Sequence, residues 1–165
     1  TSNASVVTNT THYFKLINAI DLLAYGKTDP QVSCNNNAYI LPDFLLIAGL
    51  FEGYTDISEF ITVSNGTYKF IPTENGTGTG SLIEIYDIYG ELYQTITVLI
   101  YGDVNGDSFA DGQDAVETAF IIHSPESYPD HQYYAADVDW DGYVTEYDYD
   151  IIARYAIGLD FVIQG

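Results

Sequence analysis

The chain has 165 residues, 47% apolar and 15% aromatic, a composition that sets aside intrinsic disorder and fits one ordinary domain or two small ones. Only 4 lysines and arginines stand against 24 aspartates and glutamates, and the formal charge of -20 repels nucleic-acid phosphates and anionic lipid alike, so no nucleic acid is expected as a partner. No run of about 18 apolar residues offers direct membrane insertion.

Thr1 to Thr11 lacks the basic-then-apolar plan of a signal peptide, so the numbering is expected to begin inside a longer protein. Phe14 to Tyr25, closed by Gly26, fits a helical face about as well as a strand and is read as a helix. Cys34 is the only cysteine, cannot form an intramolecular disulfide, and reads as a small apolar or loop residue. Ile57 to Val63 and Thr67 to Ile71 flank Ser64-Asn65-Gly66, which predicts a hairpin. After a Gly/Thr/Asn-rich loop at 74–80, the β-branched and aromatic runs Leu82 to Tyr89 and Leu92 to Tyr101 flank Gly90-Glu91 and predict a second hairpin. Residues 1–101 therefore read as a small antiparallel β-domain, sandwich-like, with one helix. Asn-x-Ser/Thr patterns at Asn3, Asn9, Asn65 and Asn75 read as turn chemistry.

Composition shifts after Gly102. Residues 1–102 hold 10 acidic and 3 basic side chains, whereas the shorter stretch 103–165 holds 14 acidic and 1 basic. Two loops concentrate this charge, Asp103 to Asp114 and Asp137 to Asp148, starting 34 residues apart. A hard cation such as calcium takes oxygen ligands from loop positions 1, 3, 5, 7 (a carbonyl), 9 and 12. In the first loop those positions are Asp103, Asn105, Asp107, Phe109, Asp111 and Asp114; in the second, Asp137, Asp139, Asp141, Tyr143, Thr145 and Asp148. The agreement of register predicts two calcium ions, whose charge would relieve the crowding of carboxylates. Two positions depart from the pattern in the first loop. Ser108 stands at position 6, where glycine permits the sharp turn, and Ala110 at position 8, where a larger aliphatic is usual.

Each loop precedes an amphipathic stretch, Ala115 to His123 and Tyr149 to Ile157, the second stopped by Gly158. The strand-like Thr95 to Tyr101 replaces the entering helix of an ordinary EF-hand, so each unit is loop then helix. Residues 125–136 link the units and carry a short helical segment from Asp130 to Ala136.

The run Asp103-Val-Asn-Gly-Asp, then Asp111-Gly-Gln-Asp-Ala, then Asp137-Val-Asp-Trp-Asp-Gly-Tyr-Val-Thr with Asp148 and the helix end Ile151-Ile-Ala-Arg-Tyr-Ala-Ile-Gly158, resembles a dockerin. The β-domain placed directly before it resembles the X-module of X-module–dockerin dyads of scaffoldins and anchoring proteins, and Asp-Gly-Gln-Asp-Ala is most similar to ruminococcal examples. The resemblance implies an α+β chain, with an all-α dockerin at 102–165 built from repeats at 103–124 and 137–158. It further implies a non-catalytic, extracellular assembly module of the cellulosome that binds a cohesin in a calcium-dependent way and sits at the cell surface through that cohesin. Carried over residue by residue, the cohesin-facing positions are Gly112, Gln113, Ala119, Phe120 and Ser124 in the first repeat. In the second they are Glu146, Tyr147, Ala153, Arg154 and Gly158. Phe120 with Ile121 would form the apolar anchor, Tyr147 and Arg154 a more polar edge. The two sets are chemically unlike, which predicts a single binding orientation.

Three other functions compete with this one. Glycoside hydrolysis has no support beyond abundant carboxylates, and His12, His123 and His131 show no metal-ligand spacing, so no catalytic residue is assigned. Nine of the 16 tyrosines lie in residues 1–101, which keeps a carbohydrate-binding β-domain as an alternative, although tyrosine-rich strands are ordinary sheet packing and polysaccharide binding is the disfavoured reading. A calcium-binding regulatory module is set against by the missing entering helices and the absence of methionine. Chelation is expected to unfold 103–158 while sparing much of the N-terminal domain.

Overall fold

The computed structural model describes residues 29–164, and the helix read at Phe14 to Tyr25 lies outside them. The described part is mixed α+β, with seven strands in two sheets and three α-helices. In chain order the strands are β1 (Gln31–Cys34), β2 (Tyr39–Leu41), β3 (Leu46–Ala48), β4 (Ile61–Ser64), β5 (Gly66–Ile71), β6 (Leu82–Asp87) and β7 (Leu92–Val98). The helices are α1 (Gly112–His123), α2 (Asp130–Ala136) and α3 (Glu146–Ala156), with a 3₁₀ turn at Pro125–Ser127.

A two-stranded sheet β1-β4 faces a five-stranded sheet of order β2-β3-β7-β6-β5. Val32, Cys34, Ile61 and Val63 of the small sheet share one apolar cluster with Ile47, Ile83, Ile85, Ile96 and Val98 of the large one, so the two sheets, unequal in size, bury a common core. β6 shows why: Ile83, Ile85 and Asp87 are buried while Leu82, Glu84 and Tyr86 alternate outward, the two-residue period of a strand with one face in a core. On its outer face Glu84 lies directly across from Lys69 and pairs with it at 3.5 Å.

The second predicted hairpin is present, β6 against β7, with a bulge at Ile85/Tyr86 and Asp87 accepting the Tyr89 and Glu91 backbone N–H groups across the turn. The first is not. β4 pairs with β1 (Val32 opposite Val63), and β5 pairs with β6. Asn65 takes the left-handed conformation (φ 56) and, instead of reversing the chain within one sheet, turns it from the small sheet into the large one. The sheet is not wholly antiparallel either, because β3 runs parallel to β7. β7 ends at Val98, with the Leu99 N–H still bonded to the Ile47 carbonyl of β3 (2.8 Å), and Ile100 and Tyr101 leave the ladder although they stay buried.

β3 explains the rest of the architecture. Leu46, Ile47 and Ala48 are all buried: Ile47 points into the sandwich, while Leu46 and Ala48 point to the opposite face, where Ala115, Ile121, Ala135, Ala136, Val138 and Ile152 of the helical part cover them. Continuous apolar character is what a strand buried on both faces requires. The β2-β3 end of the large sheet is thus a middle layer, and the junction at Tyr101 and Gly102 lies inside a shared core. The C-terminal residues close on the same point: the Gln164 side chain accepts the Tyr101 N–H (2.9 Å) and donates to the Tyr101 carbonyl (2.8 Å).

Candidate metal centres and helix faces

The two acidic loops repeat one another at positions 3, 5, 9 and 12 and differ at position 1, where Asp103 Oδ1 accepts the Gly106 N–H (3.0 Å) and Asp137 Oδ1 has no hydrogen-bond partner. At position 3, Asn105 Oδ1 accepts the Asp107 N–H (2.8 Å) and Asp139 Oδ1 the Asp141 N–H (3.1 Å). At position 5, Asp107 Oδ1 accepts the Phe109 N–H (3.0 Å) and Asp141 Oδ1 the Tyr143 N–H (2.8 Å). The twelfth carboxylates close each ring: Asp114 Oδ1 accepts from Val104 (2.8 Å) and Asn105 (3.0 Å), and Asp148 Oδ1 from Val138 (3.0 Å) and Asp139 (3.3 Å). Position 9 is the N-cap of the following helix, and Asp111 with Asp114, like Thr145 with Asp148, forms a capping box. The helices therefore begin three residues earlier than their apolar periodicity indicates, at Gly112 and Glu146.

Backbone conformation repeats too. Positions 4 and 6 are left-handed in both loops: Gly106 (φ 78) and Ser108 (φ 74) in the first, Trp140 (φ 62) and Gly142 (φ 89) in the second. Glycine serves position 4 in one loop and position 6 in the other. Ser108 thus does not distort the loop; it holds the turn that Gly142 holds, at a conformational cost a glycine would avoid.

The donor set suits a hard cation: carboxylate, amide and carbonyl oxygens, with no sulfur or imidazole. Carboxylate oxygens of Asp137, Asp139 and Asp141 lie within 4.8 Å of one another. Asp137 is 4% exposed, and its Oδ1 is buried without a hydrogen-bond partner while Oδ2 accepts the Gly142 N–H (3.0 Å). An ionised oxygen held away from water with nothing to neutralise it costs free energy, which a cation in the loop would offset. Burial, the leading cause, raises the carboxyl pKa of Asp137 to about 6, against the lowering influence of the Gly142 N–H and with Asp148, Asp139 and Asp141 raising it further. Asp103 rises to about 7 and Asp114 to about 6, again chiefly through burial. Asp103, Asn105, Asp107, Asp111 and Asp114 with the Phe109 carbonyl would hold one ion, and Asp137, Asp139, Asp141, Thr145 and Asp148 with the Tyr143 carbonyl the other. The Phe109 and Tyr143 side chains themselves turn to solvent, 52% and 70% exposed.

The proposed partner-facing residues divide. Gly112, Gln113, Phe120, Glu146, Tyr147, Arg154 and Gly158 are exposed, and Ala119, Ser124 and Ala153 are partly so. Ile121 is not: it is fully buried in the cluster with Ile152 and Val104, so it cannot be half of a surface anchor. Phe120, 58% exposed, shares its helix face with Val116, four residues earlier and 54% exposed, a residue that sequence reading passed over. Arg154 is engaged by Asp150 (3.7 Å) and Asp160 (3.4 Å). Gly158 (φ 73) completes a Schellman motif, its N–H bonding Tyr155 and that of Leu159 bonding Arg154.

Sequence reading also missed what the β-region does at the first loop. The 74–80 stretch, taken as a connection, lies against it: Asn75 Nδ2 donates to the Asp107 carbonyl (2.9 Å), the Thr79 N–H to Asp103 Oδ2 (2.9 Å), and Thr73 and Ser108 hydroxyls meet at 2.6 Å. Glu52 accepts the Ala110 N–H (3.1 Å). At the second loop Trp140 packs on Tyr101, centroids 5.6 Å apart. Ser108, the misfit in the loop pattern, was the available signal.

Fold and site together define a mixed α+β protein carrying two acidic loop–helix units. Compared with known families, curated proteins and solved structures, the chain matches none.

Proposed function

We propose that the chain is a non-catalytic assembly module of the X-module–dockerin kind, in which calcium in the two loops orders a helical surface that binds a cohesin. The repetition of turns, caps and closing carboxylates between the loops carries this reading: two oxygen cages matched in these features are what paired cation sites need, and a catalytic pair of carboxylates would not be so built. The α1 face with Val116 and Phe120 supplies apolar contact, and Tyr147 on α3 a second aromatic. Because α1 and α3 present unlike side chains, the cohesin binds in one orientation. The β-region acts as a buttress, and the location follows the partner: outside the cell, held at a surface through the cohesin. Binding of the whole chain to a panel of cohesins, by pull-down with and without calcium, tests this. Capture by at least one cohesin that disappears in EDTA is expected; equal capture in EDTA, or none across the panel with calcium present, sinks it.

A carbohydrate-binding β-region remains the second reading, favoured by Phe51 and Tyr54, each 49% exposed with centroids 6.0 Å apart and backed by Phe60. Their 39° tilt denies a sugar chain a flat platform, which ranks this second. Retardation in a polysaccharide affinity gel would promote it.

A further inference from the structure

We propose that the segment Thr73–Thr79 is the outer shell of the first cation loop, so that cation affinity there and the stability of the sheet rise and fall together. The inference rests on reading 103–114 as a cation loop. Asp103 is fully buried, and its Oδ2 receives two N–H groups, one from Ser108 in its own loop (3.3 Å) and one from Thr79 outside it (2.9 Å). The matching Oδ2 of Asp137 receives the Gly142 N–H of its own loop. Thr79 is itself fixed to the sheet side, since its hydroxyl donates to the Ile100 carbonyl and accepts the Ile100 N–H, both at 3.0 Å. An unbroken line of bonds therefore runs from the backbone after β7 to the first ligand of the loop.

The same contact accounts for both irregularities of the first loop. A Cβ at position 4 would fall 2.5 Å from the Thr79 carbonyl, so Gly106 is required there, whereas the second loop, free of that neighbour, tolerates Trp140. Serine at position 6 brings a hydroxyl that meets Thr73 Oγ1 at 2.6 Å and the Gly76 carbonyl at 3.3 Å. Gly78 completes the fit: a Cβ on it would lie 2.6 Å from Ser108 Oγ and 2.9 Å from Asp103 Oδ2. Partners that orient a ligand from behind typically govern about 10–100-fold in metal affinity. Thermodynamic linkage makes the effect reciprocal, so an ion that prefers the ordered loop also stabilises the segment ordering it.

Thr73 and Gly78 are thus positioning residues, and three variants of the full chain test them by calorimetric calcium titration. Gly78→Ala pushes a methyl into the contact and is expected to weaken one of two sites by about tenfold or more. Thr73→Val removes the hydroxyl at constant shape and weakens the same site several-fold, by analogy with other ligand-orienting bonds, while Thr73→Ser restores it. Terbium luminescence sensitised by Tyr143 and Trp140 reads the second loop and stays unchanged in all three. Calcium is also expected to slow amide exchange at Thr79 and Ile100 in the parent chain and much less in Gly78→Ala. Two ions bound with unaltered affinity in Gly78→Ala and Thr73→Val overturn the coupling alone. A single bound ion, unaffected by Asp103→Asn, overturns the reading of the first loop and the coupling with it.

Discussion

Asp103 and Asp137 hold the same place in their loops and meet different surroundings: one is clasped from the β-region, the other keeps a bare buried oxygen. Asp137→Asn preserves shape and removes the charge, so the second loop should lose at least about tenfold in calcium affinity, since ligand charge sets affinity in such loops; terbium luminescence checks it, and undiminished binding would contradict the metal role of Oδ1. Phe120 and Ile121 are neighbours in sequence with opposite fates. Ile121→Ala empties a buried site and should cost about 2–5 kcal/mol of stability. Phe120→Ala should leave stability within about 0.5 kcal/mol and weaken cohesin binding by about 2 kcal/mol or more. Denaturant melts and cohesin titration separate the two, and a stability loss for Phe120→Ala matching that of Ile121→Ala would return Phe120 to the core.

At the level of elements, both ends of α3 are specified locally: Thr145 with Asp148 starts it and Gly158 stops it. Replacing Gly158 by alanine puts a side chain at φ 73 with open space around it, so conformational strain alone acts and about 1 kcal/mol of stability should be lost, read as a lowered melting temperature in saturating calcium. Signals of this local kind made the loops, the Gly158 stop and the β6-β7 hairpin legible, because turn chemistry and ligand spacing sit within a few residues of what they control, while the capping boxes at Asp111 and Thr145 went unread. β1, β2 and β3 were not legible: they are 3–4 residues long and separated by the left-handed Asn36, Asn37 and Leu45, and β1 and β3 depend on partners far along the chain, β4 and β7. β4 was seen as a strand but given the wrong neighbour, since Ser64-Asn65-Gly66 suits a hairpin and a corner equally, and β1, 27 residues away at Cys34–Ile61, decides between them. The site was legible where it is contiguous and illegible where Thr73–Thr79 reaches it across the fold.

The whole molecule carries a charge of -20 and a core shared between sheet and helices, and both bear on what chelation does. Sparing of the N-terminal part was expected if the two parts were independent, but Leu46, Ala48, Leu99 and Tyr101 lie in one cluster with Ala115, Ile121 and Ile152, so exposing the helices strips the sheet as well. EDTA should therefore lower the melting of sheet and helices together, as one calorimetric transition, rather than melt 103–158 alone. The pH dependence of the metal-free chain follows from the same burial. Asp103, near 7, and Asp114 and Asp137, near 6, titrate well above an unfolded aspartate at about 3.9, because burial disfavours their charged form. Between those values the folded chain holds protons that the unfolded chain has released, so the stability these groups lend is full below about pH 4 and is lost as pH rises through 6 to 7. Calcium requires the same carboxylates ionised and so competes with the protons. Melting curves at pH 5 and pH 7.5 should accordingly cross: without calcium the acid sample is the more stable, with saturating calcium the neutral one. Added salt should narrow the metal-free difference little, since the dominant cause is burial, and stabilise both metal-free samples by screening their mutual repulsion. A metal-free chain that gains stability from pH 5 to 7.5 would show that these carboxyls are solvated when the loops are empty.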